Sequence, residues 1–532
     1  MVRVSGLASG MDIDELVKSM MQAARVPMDK LTQKKTYSEW QRDDYRSMNT
    51  ALLELDTLIR DGVGMQKSFI KKIVTISDPD AISVKNINST SDFSGRVEGV
   101  VLASAATMRS KATTSITDPN ALLSTYGLTV PQEITILAVN KDGTFDKEKT
   151  GSGESEKTVL KPYKLTIGTD DTINSVIEKI NANSGVTVFF DQKSKQFSIT
   201  AKNTGDVVDG KLGVTEGVEM GTNYDAEIIL GSNVNGTGNF FDILKMDANN
   251  IDTTYGTKGQ NAKLVYNGLE ITRSSNTFII NGAEITLKKA TTEPVTFSST
   301  ADVDAILDTV TKFVTKYNEV IAKIKDKTGE SKYRSFTPLT AEQKKAMTED
   351  EVKLWEEKAK SGTLKNDSTL KSLLTTMRSS LYTSVSGLNG TDSLSKLGIT
   401  TTSNYLDGGK LTIDEEKLRA AISEDPNAIY NLFMKEDSKK DGSVTGEMGL
   451  ARRLRANLKA SMATITEQAG KAGSLNTNFT IGKSLNSLET RISAFEVKLT
   501  KLETRYYNQF TAMEKAIQRA NSQSASLSQY FS

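Results

Sequence analysis

Residues 485–532 read LNSLETRISAFEVKLTKLETRYYNQFTAMEKAIQRANSQSASLSQYFS. Apolar side chains fall at Leu485, Leu488, Ile492, Phe495, Leu499, Leu502 and Tyr506, then past polar Gln509 at Met513, Ala516 and Ala520. The steps alternate three and four, which is the period of a coiled-coil seam. Glu489, Arg491, Glu496, Lys498, Lys501, Glu503 and Arg505 supply an outer face of mixed charge. Neither Gly nor Pro follows Gly482, so the backbone offers no early stop. At about 1.5 Å per residue, Leu485 to Ala520 makes a rod of roughly 50 Å. A rod that long cannot bury its stripe in an ordinary compact domain. It needs a partner helix.

The partner stripe lies at the other end of the chain. From Leu31 the same frame aligns Leu31, Lys34, Ser38, Gln41, Tyr45, Met48, Leu52, Leu55 and Ile59. Its first half is weakened by polar members and its second half is apolar. Pro27 predicts the start of this helix, where its missing N–H costs nothing, and Asp61-Gly62 predicts the stop. Upstream, Asp12 with Glu15 reads as a capping box opening a shorter helix through Ile13, Leu16, Val17, Met20 and Met21. Core helices are the alternative reading of such stripes. Two long stripes at opposite ends of one chain favour pairing of the termini. The candidate oligomer and filament-contact seam is therefore Leu485, Leu488, Ile492, Phe495, Leu499, Leu502, Tyr506 and Met513 with Tyr45, Met48, Leu52 and Leu55.

The chain has 532 residues, enough for two to four domains. Its 67 Lys+Arg against 66 Asp+Glu leave a net charge of +1. That balance gives no global reason to expect nucleic acid or an anionic membrane as partner. With 0 Cys and 0 His, thiol nucleophiles, imidazole bases and the usual zinc ligand sets are excluded. No cofactor is expected. Met1 to Gly10 has no apolar core before Asp12, so no cleaved secretory leader is expected, and no apolar run is long enough to span a bilayer.

Between the ends the pattern changes. Ile82 and Val84, then Val97, Val101 and Ala103, read as strands. Lys141 to Lys157 is polar and reads as an exposed loop. Tyr163, Leu165 and Ile167 predict a strand, Ile173 to Ile180 a short helix, and Val186, Val188 and Phe190 a strand pairing with Phe197, Ile199 and Ala201. Asn267-Gly268 and Asn281-Gly282 each separate alternating runs, which predicts two tight hairpins because both residues tolerate positive φ. Helices resume with Val303, Ile306, Leu307, Val310, Val314, Tyr317, Ile321 and Ile324 on one face. Thr340 to Lys360 reads as a helical insert, Leu370 to Leu381 and Leu450 to Ile465 as further helices, and Gly470 to Gly482 as a flexible link.

No catalytic constellation emerges. Asp407, Asp414, Glu415 and Glu416 resemble a calcium loop only superficially, since alternate oxygen ligands are missing. A Gly-Gly turn followed by a helix with an acidic first turn explains them. Gly482-Lys483-Ser484 lacks the upstream glycine of a phosphate loop, Thr477 standing there instead. No carboxylate pair stands out as a glycosidase dyad.

The two ends carry a resemblance that periodicity cannot name. VSGLASGMDIDELVKSMMQAARVPMDKLTQKK, Val4 to Lys35, resembles the amino-terminal signature of the bacterial flagellar filament-capping family (hook-associated protein 2, FliD). Pro338 to Asp367, Leu394 to Phe433 (LSKLGITTTSNYLDGGKLTIDEEKLRAAISEDPNAIYNLF) and Leu485 to Ser532 are similar to its carboxy-terminal part. Ile271 to Leu287 (ITRSSNTFIINGAEITL) is similar to a hairpin of flagellins and caps. The resemblance implies an α+β multidomain protein with a terminal α-helical coiled coil, a helical bundle layer and inserted β-rich domains. Read onto this chain, these are 1–45 with 483–532, 46–70 with 300–482 (charged insert 331–362), 71–115 with 260–299, and 116–259.

The function so implied is a cap at the filament tip. It is a ring homo-oligomer, usually a pentamer, beneath which exported flagellin folds and inserts. The implied partners are other copies of itself, flagellin, hook–filament junction proteins, a cytoplasmic export chaperone and, in some members, host mucin. Export by the flagellar type III route would follow. The polar positions Lys34, Ser38, Gln41 and Gln509 suggest a seam that pairs without locking into one register, as stepping along a tip of different symmetry requires. The alternatives are an adhesin whose β-rich middle binds glycans, a junction protein, and a carbohydrate-active enzyme.

Overall fold

The computed structural model describes residues 10–150, 157–207, 226–235, 238–251, 254–388, 390–438 and 444–531. The chain is an α+β multidomain protein with two compact units, one formed by Met1–Phe69 with Val303–Ser532 and the other by Ile70–Asp302.

The first unit is helical. Helix α1 runs Ile13–Asp61, and the Asp12 carboxylate caps it by accepting the Glu15 N–H at 3.0 Å. Pro27 lies inside this helix rather than at its start. It removes one intrahelical donor, but Met21, Ala24 and Met28 around it pack into an apolar cluster that carries the helix through. Two helices, α2 (Ile173–Asn183) and α3 (Phe240–Ile243), belong to the other unit. The helical unit continues with α4 (Val303–Gly329), whose predicted face is buried from Ile306 to Ile324. The charged insert is two helices, α5 (Ala341–Lys345) and α6 (Glu349–Lys360), opened by capping boxes at Thr340/Gln343 and Thr348/Glu351. Then come α7 (Ser368–Tyr382), α8 (Glu415–Glu424), α9 (Pro426–Met434), α10 (Leu450–Ala469) and α11 (Thr480–Phe531). The acidic stretch before α8 is a cap: Gly408 and Gly409 turn with φ of 69° and 94°, and the Asp414 carboxylate accepts the Lys417 N–H at 3.2 Å.

Gly470 to Gly482 is a packed corner rather than a flexible link. It holds the short turn Asn476–Asn478, and Phe479 is 2% exposed. A Cβ on Gly470 or Gly482 would lie 2.5 or 2.7 Å from the Phe479 ring, so only glycine admits the ring at both places. The Arg46 guanidinium covers the ring at 5.5 Å and donates to the Ala469 carbonyl at 3.0 Å.

The second unit is built on small antiparallel sheets. Five strands lie in the spatial order Lys72–Ile76, Val295–Ala301, Ser94–Val101, Ala262–Tyr266, Leu269–Arg273. Three more lie in the order Thr277–Ile280, Ala283–Leu287, Ile82–Asn86, and both sheets feed one core containing Ile82, Val97, Leu264, Ile285 and Phe297. Asn267-Gly268 and Asn281-Gly282 turn the two predicted hairpins with positive φ at all four residues. Gly99, with φ of 61°, makes a bulge against the strand Ala262–Tyr266. The alternation slips there, so Val100 is buried and Val101 faces out. A separate core joins Ile134, Ile167, Val176, Ile180, Val188, Phe197, Ile228 and Phe240. Phe197, Ile199 and Ala201 pair with Phe190, Val188 and Val186 in the expected register. The expected loop at 141–157 contains one strand, Lys147–Thr150, and the start of its partner Lys157–Leu160; 151–156 lies outside the described residues.

Candidate functional site

The two terminal helices lie antiparallel. Near the start of α1, the Tyr507 hydroxyl donates to Asp14 at 2.9 Å. Further along, Lys35 Nζ meets Glu489 at 2.9 Å, and further still Arg46 covers Phe479. Contacts climb α1 as they descend α11, so one antiparallel register holds from Asp14–Tyr507 to Arg46–Phe479. The apolar filling is Ile13, Val17, Met21 and Leu499, all buried, with Ala24, Met28, Leu502, Tyr506, Tyr507 and Phe510 against them. Hydrogen bonding to Glu489 raises the pKa of Lys35 above its ordinary value.

On α11 the seam residues sort into two groups. Leu485, Leu488 and Leu499 are 2%, 3% and 8% exposed; Ile492, Phe495, Leu502, Tyr506 and Met513 are half-buried. Beyond Phe510 the helix carries Met513 half-buried and Ala516, Ala520 and Leu527 exposed. On α1, Tyr45, Met48, Leu52 and Leu55 are buried, in the stretch that packs on α10 and α4. The Tyr45 hydroxyl donates to Asp367 beside α7, and Asp56 pairs with Arg455 of α10 at 2.7 Å. Glu54 pairs with Lys316 of α4 at 2.7 Å. The apolar stripe of α1 thus serves two neighbours, α11 through its first half and the helix bundle through its second.

The polar interruptions of the expected seam have other occupations. Lys34 and Gln509 are exposed. Gln41 donates to the Thr363 carbonyl at 3.1 Å, and the Thr363 hydroxyl bonds Asp44. Phe510, not Gln509, continues the stripe after Tyr506. A strict seven-residue frame drifts against a straight helix of 3.6 residues per turn, and here the drift amounts to one position. Tyr507, Phe510 and the Arg46–Phe479 contact were missed by that frame; an aromatic run YYNQF on a helix was the available signal. Among the described residues no group of acids is placed to hold a metal ion, and no helix is long and apolar enough to cross a membrane. What the arrangement offers chemically is an apolar, ion-paired helix surface.

Residues 9–106 match the family model described as Flagellar hook-associated protein 2 N-terminus, and residues 259–522 match that of its C-terminus. A flagellar hook-associated protein 2 from Halalkalibacterium halodurans is 30% identical over 563 residues, covering 100% of both chains. An A-type flagellar hook-associated protein 2 from Pseudomonas aeruginosa is 27% identical, covering 99% of this chain and 97% of its own. The crystal structure of the D1-D2-D3 domains of the Escherichia coli flagellar cap protein shares the fold, with a TM-score of 0.52 at 19% identity over 84% of this chain and 99% of that one. Identity sustained from end to end, and models matched at both extremities where the paired helices lie, place this chain in the flagellar hook-associated protein 2 family.

Proposed function

We propose that the chain is a subunit of the cap at the distal end of the flagellar filament, where a ring of copies, five in the usual arrangement, retains exported flagellin while it folds and inserts. The paired terminal helices are the element that grips the filament. The observation that carries this reading is the apolar pairing of Ile13, Val17 and Met21 with Leu499 in a chain of this family. Division into a terminal pair, a helical layer and two β-rich parts belongs to the same proposal, supported by the separate cores around Phe297 and Phe197. So do type III export under a cytoplasmic chaperone and contact with the hook–filament junction.

The test is Leu499→Asp in a strain lacking the native copy. Leu499 is 8% exposed, and truncation of a buried Leu alone costs about 2–5 kcal/mol. The variant should spill unpolymerised flagellin into the medium while circular dichroism retains the β-sheet signal. Flagellin still retained at the tip would remove the helix pair as the gripping element. An adhesin, by contrast, would leave polymerisation intact even when the whole gene is deleted.

A further inference from the structure

The helical unit contains a cavity of about 330 Å³ that nothing in the capping role accounts for. It opens between α4, α7 and the two-stranded ribbon Ile399–Thr401/Leu411–Ile413. Two groups in its wall are chemically unfinished. Tyr317 is fully buried, and its hydroxyl has no hydrogen-bond partner among the described residues. Buried hydroxyls are nearly always bonded, because the unmade bond is costly. Burial pushes the Tyr317 pKa far up, against a smaller opposite pull from Arg378, so the group is a neutral donor. Arg378 lines the same cavity, with no ion pair or hydrogen bond among the described residues, and no Asp or Glu lines it.

The cavity is held open by the fold. Asn318, next to Tyr317, grips the ribbon with both amide atoms: its Nδ2 donates to the Leu411 carbonyl at 2.8 Å, and the Leu411 N–H donates to its Oδ1 at 2.8 Å. At Gly409 a Cβ would lie 3.2 Å from Arg378 Cγ, so the bare glycine leaves room for the arginine stem. Leu381 and Leu411 make apolar wall, and Ser393 and Thr401 bring hydroxyls. Tyr382 also lines the cavity and is 74% exposed.

We propose that this cavity is a socket for the carboxylate side chain of a partner polypeptide, with Tyr317 and Arg378 donating to the carboxylate and the leucines covering its stem. Charge complementarity selects the acid: one guanidinium and no competing carboxylate face the space. The exposed Tyr382 at the opening favours a polypeptide over a free small acid, since it offers amphipathic area to the residues flanking the acid and tyrosine is enriched in protein interfaces. Its size suits one residue, at the low end of ligand pockets.

The test is calorimetric titration of the full-length chain with N-acetyl-Leu-Glu-Leu-amide, its Gln counterpart, and free glutarate. The Glu peptide should bind about 10-fold or more tightly than the Gln peptide, and Arg378→Gln and Tyr317→Phe should each weaken it about as much. Tyr317→Phe removes only an unbonded hydroxyl, so its helical dichroism should stay that of the native chain. Tyr382→Ala should weaken the peptide and leave glutarate unchanged. Equal binding of Glu and Gln peptides, absence of heat at any concentration tested, or glutarate binding as tightly as the peptide would each overturn the proposal.

Discussion

Glu227 is the residue whose chemistry most exceeds what its sequence neighbourhood suggests. It has no exposed surface, accepts from Asn250, and leaves Oε1 without a hydrogen-bond partner among the described residues. Burial raises its pKa; the Asn250 bond opposes this, and the Asp206 carboxylate reinforces it. The folded chain therefore holds a proton that the unfolded chain releases near the ordinary glutamate value of 4.5. Stability is whole below that value and declines as pH rises through the raised one. The β-rich unit should melt at progressively lower temperature as pH climbs above the ordinary glutamate value of 4.5. Glu227→Gln keeps an acceptor for Asn250 and should flatten that slope in calorimetric scans; a slope unchanged in the variant would assign the titration to other groups. Asp56 poses the same problem of legibility. It sits beside the apolar Leu52, Leu55 and Ile59 and is 6% exposed, with Arg455 of α10 meeting it. A carboxylate's partner four hundred residues away leaves no trace in local periodicity.

At the scale of elements, what was legible is what local chemistry controls. Asn-Gly fixed both hairpins because only residues tolerant of positive φ make the primed turn, and the face of α4 followed from 3.6-residue spacing. Elements held by tertiary contact were harder. Pro27 looked like a start because that is its commonest helical position, but packing of Met21 and Met28 on α11 overrides the lost donor. Gly470 to Gly482 looked like a tether from composition alone, whereas its glycines are spaces for Phe479. Phe479→Ala should therefore cost about 3–5 kcal/mol and release the corner between α10 and α11. Amide exchange would detect it as faster exchange around 470–485. Native exchange rates there would mean that Leu485 and Leu488 alone hold the corner. On α11 the apolar stripe was readable to within one position, drifting from Gln509 to Phe510, but its partner on α1 was placed too far along. Ile13, Val17, Met21 and Met28 meet α11, while Tyr45, Met48, Leu52 and Leu55 lie in the stretch packed on α10 and α4.

The whole molecule is a β-rich chain segment, Ile70–Asp302, inserted between the two sequence halves of a helical unit. That nesting was legible because the stripes at the two ends need each other, which forces everything between them into loops or inserted domains. Each unit has its own buried residues: Tyr317, Leu52 and Leu454 in the helical one, Phe197, Ile134 and Phe297 in the other. Two crossings of the backbone join them, so the two-state approximation should fail for the full chain. Calorimetry should resolve two transitions, with the summed enthalpy exceeding the van't Hoff value of either. The assignments are separable with the variants already described. Phe479→Ala should lower only the transition of the helical unit, and Glu227→Gln should change the pH dependence only of the other. If a single transition moved under both substitutions, the units would be one cooperative body, and the helical pair could not open while the inserted segment stays folded.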